Sequence, residues 1–554
     1  MSKPVYGNAL AVHDPDPREL DRIERALAGR WTVTRPATGW LLAVAAINDM
    51  CEPIIATAKS GESVVFVEDS NGTCDPEPIV GARVNPHGDV TAFAFGRNGV
   101  RAVRSCAGLV PVYIARQGER VAIATLITPL VDHVLETVVI DRLGLTAWLT
   151  GLAFFPDNRT WLADATVLPA GHMADMTAPG TSTTCHQYWD PRPAIVDSLT
   201  PQSRAEHISS LRSAVLSSLE RSLDRNGRNL LTLSGGADSS LLAYLIAGRF
   251  QSGLSTLSFR STAPGQAKIE SELIGAFVAA HPPRQRWVFE SGFAQRLALI
   301  EQAPAVPFPA PHPALHLLER LAQETPIAVY LGGEFADHVA GGGHHAPDWF
   351  EQTSLGALGS AALARHLPTG ARDIARWIKR RVIRRTPPPS TTACGPPFLP
   401  AHMQEEFVEW RERRDRRLSE DRAPWRHLAA RMEVEDGVTA MNWEWSCAAG
   451  ILRAMPFLSR ATIENVYRCH ASELIGPGVK RLVRQGFAGD APREHLWREK
   501  YRGSDGVRDD IAVSPSDQAR AELDLMSGPY RGMEGLLIAM LNRLIRPALA
   551  QKWY

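Results

Sequence analysis

The chain has 554 residues, of which 44% are hydrophobic and 22% charged, and Lys+Arg and Asp+Glu both number 60. It is too long for one hydrophobic core, so at least two domains are expected, and the composition is ordinary for a soluble globular enzyme. The balanced charge argues neither for nor against nucleic acid; no nucleic-acid partner is assigned. Seven cysteines, an odd number, show no C-x-x-C and no metal-like spacing, which fits free thiols in a reduced compartment. No 18-residue apolar span occurs, and the N-terminal residues lack the apolar core of a signal peptide. A cytoplasmic protein with no membrane partner is the expectation.

Residues 1 to about 190 carry short β-like runs at 31–34, 63–67, 90–95, 100–103, 112–115 and 121–123, separated by Gly, Asn and Asp. Regular short strands with turn signals predict a layered, β-rich domain. Residues 200–225 then follow a helical period through Ile208, Leu211, Val215 and Leu219.

The most informative stretch comes next. An apolar run at 230–233 reads as a buried strand, breaks into Ser234-Gly235-Gly236-Ala237-Asp238-Ser239-Ser240, and resumes as an apolar helix from Leu241. A strand feeding a glycine turn that opens a helix is suited to phosphate. Glycines let backbone N–H groups turn inward, and the helix N-terminus adds partial positive charge. Neither G-x-G-x-x-G nor G-x-x-x-x-G-K-[ST] is present. Further strands are predicted at 254–259, 286–289 and 327–331, with a helix at 268–280 between the first two. Strands alternating with helices predict a parallel, doubly wound sheet with ligands at its carboxyl edge.

The strand at 327–331 runs into the glycine-rich loop 332–343, where Gly332 and Gly333 precede Glu334 and Asp337. This loop is suited to be a second wall for phosphates. Asp238 and Asp337, each at a strand-to-loop exit, are what Mg²⁺ bridging phosphate oxygens needs. His344 and His345, adjacent in a glycine loop, fit solvated residues better than metal ligands. Residues 376–385 form a basic amphipathic segment followed by prolines. They read as a solvated helix with an extended linker, or as a docking surface for an acidic peptide. Residues 403–450 read as charged helix with Trp410, Trp425, Trp443 and Trp445 packing, and 536–549 as an apolar helix.

Several of these stretches resemble known families. S-G-G-x-D-S-S at 234–240 resembles the pyrophosphate loop of ATP-pyrophosphatases, which cleave ATP between the α- and β-phosphates. Residues 99–115 and 155–191 resemble segments of class II glutamine amidotransferase domains. In that family a Cys follows the initiator Met; here the matching position is Ser2, so this domain is expected to be a relic without glutaminase activity. The loop at 332–338 resembles the S-G-E-G-x-D-E of asparagine synthetase, with Gly332, Phe335 and His338 at the substituted positions and Glu334 and Asp337 kept. Residues 455–459 resemble its P-F-L-D with Ser459 for Asp. Lys480 lies in a G-x-K-x-L-L-R-like run, and Lys500 in an L-W-R-x-K-x-x-x-S-D-G-V-like run.

The resemblance implies two domains. Residues 1–195 would be a degenerate class II amidotransferase-like domain of the Ntn-type αββα fold. Residues 200–554 would be a doubly wound, parallel-sheet ATP-pyrophosphatase (HUP-like) domain with extra helices. It also implies ATP and Mg²⁺ and AMP-forming amide synthesis through an acyl-adenylate. Ser234, Gly235, Gly236, Ser239 and Ser240 would cradle pyrophosphate with Gly333 and Lys480 nearby, and Asp238 and Asp337 would hold Mg²⁺. Leu233, Ser258 and Gly332 would hold adenosine. Lys500 would neutralise transition-state charge, and Glu334 would steer or deprotonate the attacking amine. The substituted loop, the Ser2 position and the basic insertion look most like a lasso-peptide macrolactam cyclase. Such an enzyme joins a precursor peptide's N-terminal amine to an Asp or Glu side chain and works beside a leader-peptide-binding or protease partner. An ammonia-using asparagine synthetase, a β-lactam-forming synthetase and a nucleotide-binding scaffold without activity remain open alternatives.

Overall fold

The computed structural model describes residues 5–81, 88–97, 99–139, 141–149, 155–177, 183–191, 201–260, 264–290, 313–339, 401–420, 426–469 and 480–497. The predicted Mg²⁺ and phosphate residues lie within these ranges. Ser2, His344, His345, Trp425, Lys500, the basic segment 376–385 and the helix at 536–549 lie outside them.

The first strands are β1 (Val5–Tyr6), β2 (Asn8–His13), β3 (Thr32–Thr34), β4 (Trp40–Ala45), β5 (Ile54–Thr57), β6 (Ser63–Asp69) and β7 (Val90–Gly96). They continue with β8 (Gly99–Val103), β9 (Tyr113–Gln117), β10 (Arg120–Ala124), β11 (Ala165–Val167), β12 (His172–Thr177) and β13 (Thr183–Gln187). They form two antiparallel sheets, one ordered β1-β6-β7-β8-β12-β13 with β5 also on β6, the other β11-β9-β10-β2-β4-β3. Period-two alternation sends Ala9 and Ala11 of β2 into a core shared with Val65, Val67, Phe93 and Phe95 of the facing sheet. Leu10 and Val12 point the other way, onto Leu20, Ile23 and Leu27 of the helix Pro17–Leu27. That helix starts where Asp16 accepts from the Arg18 amide and Pro17 occupies its first turn. All six sequence-predicted strands are present, with boundary shifts of one or two residues.

The second half holds a five-stranded, all-parallel sheet of β14 (Asn229–Thr232), β15 (Leu254–Arg260), β16 (Arg286–Glu290), β17 (Val329–Leu331) and β18 (Leu452–Ala454). Its order is β16-β15-β14-β17-β18, so the winding direction reverses between β14 and β17. β18 is not among the strands the sequence predicts, because three residues carry too little pattern to register. The charged stretch beyond 400 is two helices, Ala401–Glu420 and Arg426–Ala448. Trp410, Trp443 and Trp445 are buried as expected.

The two halves share apolar clusters that contain residues of both. Polar contacts pin them as well. Asn48 donates to the carbonyls of Ala328 (2.9 Å) and Gly450 (3.2 Å), Trp443 donates to Asn8 (3.2 Å), and Arg228 pairs with Asp49 (2.9 Å). Among the described residues no helix is long and apolar enough to cross a membrane.

Candidate active site

The reversal between β14 and β17 opens a crevice at the carboxyl edge of the sheet, where doubly wound folds place ligands. Both predicted loops leave the sheet there. After β14 the chain turns through Gly235, whose φ of +70° favours glycine, and Gly236 caps the helix Ala237–Tyr244. The helix therefore starts at Ala237 rather than Leu241, which puts Asp238, Ser239 and Ser240 in its first turn. The Ser239 hydroxyl accepts from the Ser234 amide (3.2 Å), and the two hydroxyls lie 3.1 Å apart. Ser240 is buried beneath the turn. Leu233 donates to the Leu257 carbonyl (2.8 Å), and the Ser258 hydroxyl donates to the Leu233 carbonyl (2.9 Å), so the neighbouring strand ends are tied together.

After β17, Gly332 donates to the Ala454 carbonyl at the end of β18 (3.2 Å). A Cβ on Gly333 would lie 2.9 Å from the Asp238 Cβ, so the two loops meet without room for a side chain. Glu334 accepts from Arg453 Nη2 at 2.5 Å. Arg453 is buried and lies over the Tyr330 ring, 4.1 Å from its centroid, and the Tyr330 hydroxyl meets Thr232 Oγ1 at 2.6 Å. A Cβ on Gly332 would fall 1.7 Å from Glu334 Oε2 and 2.5 Å from Arg453 Nη2, so a side chain there would have to displace the Glu334–Arg453 pair. Phe335 sits at φ +68° where the family has glycine, and it packs edge-on against the buried His338, 5.3 Å between centroids.

Lys480 brings the third segment in. Its ammonium contacts Asp238 Oδ2 and lies 2.9 Å from Asp337 Oδ1. Burial opposes its charge, but the two carboxylates prevail and hold its pKa above the ordinary lysine value. Because one ammonium touches both carboxylates, Asp238 and Asp337 converge on a common point. Two hard oxygen donors at the edge of a phosphate crevice suit Mg²⁺, which keeps several waters and phosphate oxygens of its own. Among the described residues no group of three or more His, Cys, Asp or Glu side chains is placed to hold a metal ion. Of the predicted residues, Leu233–Ser240, Ser258, Gly332, Gly333, Glu334, Asp337 and Lys480 gather here. The sequence pointed to none of Arg453, Tyr330 and Thr232; a lone arginine three residues before Pro456 was the only available cue.

A cavity of about 670 Å³ lies instead at the opposite, amino edge of the sheet, lined by Asp49, Arg221, Asp224, Arg228 and Leu452 among others. Buried carboxylates also mark the contact between the halves. Burial raises Glu68 to about 7, Asp89 to about 6 and Glu444 to about 8. Asp89 accepts from the Arg460 amide with both oxygens (3.1 Å), at the start of the helix Arg460–Arg468. Ser459, in the place of the family's Asp, forms a capping box there with Thr462.

The parallel sheet, its glycine turn and the paired carboxylates meet at the reversal point, where doubly wound α/β enzymes place their ligands. The model of the asparagine synthase family matches residues 210–537, more than half of the chain, and the protein belongs to that family. ATP-dependent amide formation is the chemistry of the family. Among curated proteins none matches the sequence. Solved structures with some likeness include an allosteric regulatory enzyme of purine biosynthesis (9% identity, 51% of this chain and 80% of the other, TM-score 0.22). Others are the U34-tRNA thiolase NcsA of Methanococcus maripaludis (14%, 42% and 78%, 0.21) and the glutamine phosphoribosylpyrophosphate amidotransferase of B. subtilis (9%, 51% and 65%, 0.20). Likeness at this level defines neither fold nor activity.

Proposed function

We propose that the protein is an AMP-forming amide synthetase that closes a macrolactam in a precursor peptide, joining its N-terminal amine to an Asp or Glu side chain. The observation that carries the adenylation chemistry is the convergence of Asp238 and Asp337 from two loops onto one point, with Glu334 held beside them by Arg453. In this proposal the peptide carboxylate attacks the α-phosphorus of ATP, the bond to the β-phosphate oxygen breaks, and pyrophosphate leaves. Ser234, Gly235, Gly236 and Ser239 hold the departing phosphates through backbone N–H and hydroxyl groups, with Ser240 beneath them and Gly333 on the facing wall. The strand ends at Leu233, Ser258 and Gly332 flank adenosine. Mg²⁺, held by Asp238 and Asp337, supplies positive charge at the phosphates when bound. Lys500, assigned by its sequence motif alone, adds to that charge. Glu334 then accepts a proton from the amine as nitrogen attacks the acyl-adenylate carbonyl and AMP departs.

Support for a peptide rather than a small substrate comes from the loop 332–338. It keeps Glu334 and Asp337 but departs from the asparagine synthetase pattern at Gly332, Phe335 and His338, and this departure resembles the macrolactam cyclases more than the ammonia-using enzymes. The basic segment 376–385 offers charge for an acidic peptide or for a leader-binding partner. The N-terminal antiparallel sandwich serves this enzyme as an amidotransferase-like relic. Incubation with a candidate precursor peptide and ATP should give one AMP and one pyrophosphate per peptide that loses one water, read by mass spectrometry. Ammonia-dependent conversion of free aspartate to asparagine, with no peptide consumed, would overturn the macrolactam assignment.

A further inference from the structure

Lys480 is anchored from an unusual backbone. It has φ +65°, a left-handed conformation that is strained for a non-glycine residue and persists where the surroundings over-determine it. It caps the helix Arg481–Gly486, its carbonyl accepts from the Arg484 amide (2.9 Å), and its side chain is only 5% exposed. The ammonium reaches Asp238 in one loop and Asp337 in the other, across 242 residues of sequence in the first case.

We propose that this ammonium is the resting occupant of the cation seat between Asp238 and Asp337, keeping a divalent ion out until nucleotide draws the lysine onto phosphate. The proposal rests on the assignment of Asp238 and Asp337 to the metal. Two carboxylates facing one point repel, and the buried Lys480 ammonium supplies the counter-charge. A lysine ammonium is a compact point charge with three donors, and it meets this need without any ligand. It cannot share the point with Mg²⁺, which takes oxygen ligands at about 2.0–2.1 Å. A triphosphate relieves the conflict because it offers acceptors for the ammonium and oxygens for the metal. Cation and nucleotide are then thermodynamically coupled, each raising the affinity of the other by the same factor. The arrangement keeps the loops in register before ATP arrives.

The test uses Mn²⁺ as the probe, its binding to the full chain followed by electron paramagnetic resonance, with and without α,β-methylene-ATP, which is not cleaved at the relevant bond. Wild-type protein should bind Mn²⁺ roughly tenfold more weakly without the analogue than with it. Lys480→Gln should bind Mn²⁺ roughly tenfold more tightly than wild type when no nucleotide is present, and adding Asp337→Asn should erase that gain. Equal wild-type affinity with and without the analogue would overturn the proposal, and so would a Lys480→Gln affinity no higher than wild type. Because phosphates are metal ligands in their own right, the wild-type pair alone does not isolate the lysine; Lys480→Met, uncharged and of similar length, gives the same nucleotide-free comparison if Lys480→Gln does not fold. Absence of Mn²⁺ binding even with the analogue would instead remove Asp238 and Asp337 as metal ligands, so the two failures are distinct.

Discussion

Arg453 donates to Glu334 at 2.5 Å while its guanidinium lies over the buried Tyr330 ring. The pair fixes where the Glu334 carboxylate stands, and the absent side chain of Gly332 leaves it room. If Glu334 takes the proton of the attacking amine, its loss should strike the second half-reaction and spare the first. Glu334→Gln should lower product formation by about 10²–10⁴ and leave ATP–pyrophosphate exchange largely intact. Arg453→Met should show the same split, because it removes the partner that orients the carboxylate. Equal loss of exchange and product in both variants would place Glu334 in adenylation instead.

Phe335 combines two opposed terms. Its left-handed backbone costs roughly 1–2 kcal/mol, while its buried ring is worth roughly 3–5 kcal/mol of packing if removed. Packing wins, so Phe335→Gly should lower the melting temperature even though it restores the residue the family uses there. A raised melting temperature would show that strain dominates.

Ser459 stands where the family has Asp, and Asp89 explains the exchange. Asp89 already presents a carboxylate to the Arg460 amide at the same helix start, and burial lifts its pKa to about 6. Ser459→Ala should cost about 1 kcal/mol through the lost cap. Ser459→Asp keeps a capping oxygen but adds a second anion beside Asp89. It should be well tolerated at pH 5, where Asp89 is protonated, and destabilising at pH 8, where both are charged. Thermal melts at the two pH values check this, and a loss independent of pH would contradict it.

Glu444 joins the halves by accepting from the Ile127 amide and from Thr128 Oγ1 (3.2 Å). Burial pushes its pKa from 4.5 to about 8, against the opposing pull of these hydrogen bonds. Between those values the folded protein keeps a proton that the unfolded chain releases. Its contribution is therefore whole below about pH 4.5 and lost as pH rises through about 8. The melting temperature should fall across this window, and Glu444→Gln, which mimics the protonated acid, should flatten the decline. An unchanged pH slope in the variant would count against the assignment.

The two glycine loops at the crevice were legible because strand, glycine turn and helix are contiguous in sequence, so local pattern alone located Ser234–Ser240 and Gly332–Asp337. β2 and β4 were not, because Asn8–His13 and most of Trp40–Ala45 are buried on both faces and show no alternation. β18 is too short to register, and with it went Arg453, whose importance exists only once β18 lies beside β17. Lys480 was visible by its motif, but its two partners lie on distant loops that only the parallel sheet brings together. Phe335 read as a departure from a glycine motif; that it adopts a left-handed backbone is a property of the folded loop.

The central claim is that a carboxylate attacks the α-phosphorus of ATP at the crevice between β14 and β17. The most direct measurement is oxygen transfer from a precursor peptide carrying ¹⁸O in its acceptor carboxyl group. One labelled oxygen should appear in AMP for each peptide cyclised, with pyrophosphate unlabelled. Label in inorganic phosphate accompanied by ADP would mean attack at the γ-phosphorus, and the adenylation account would be wrong.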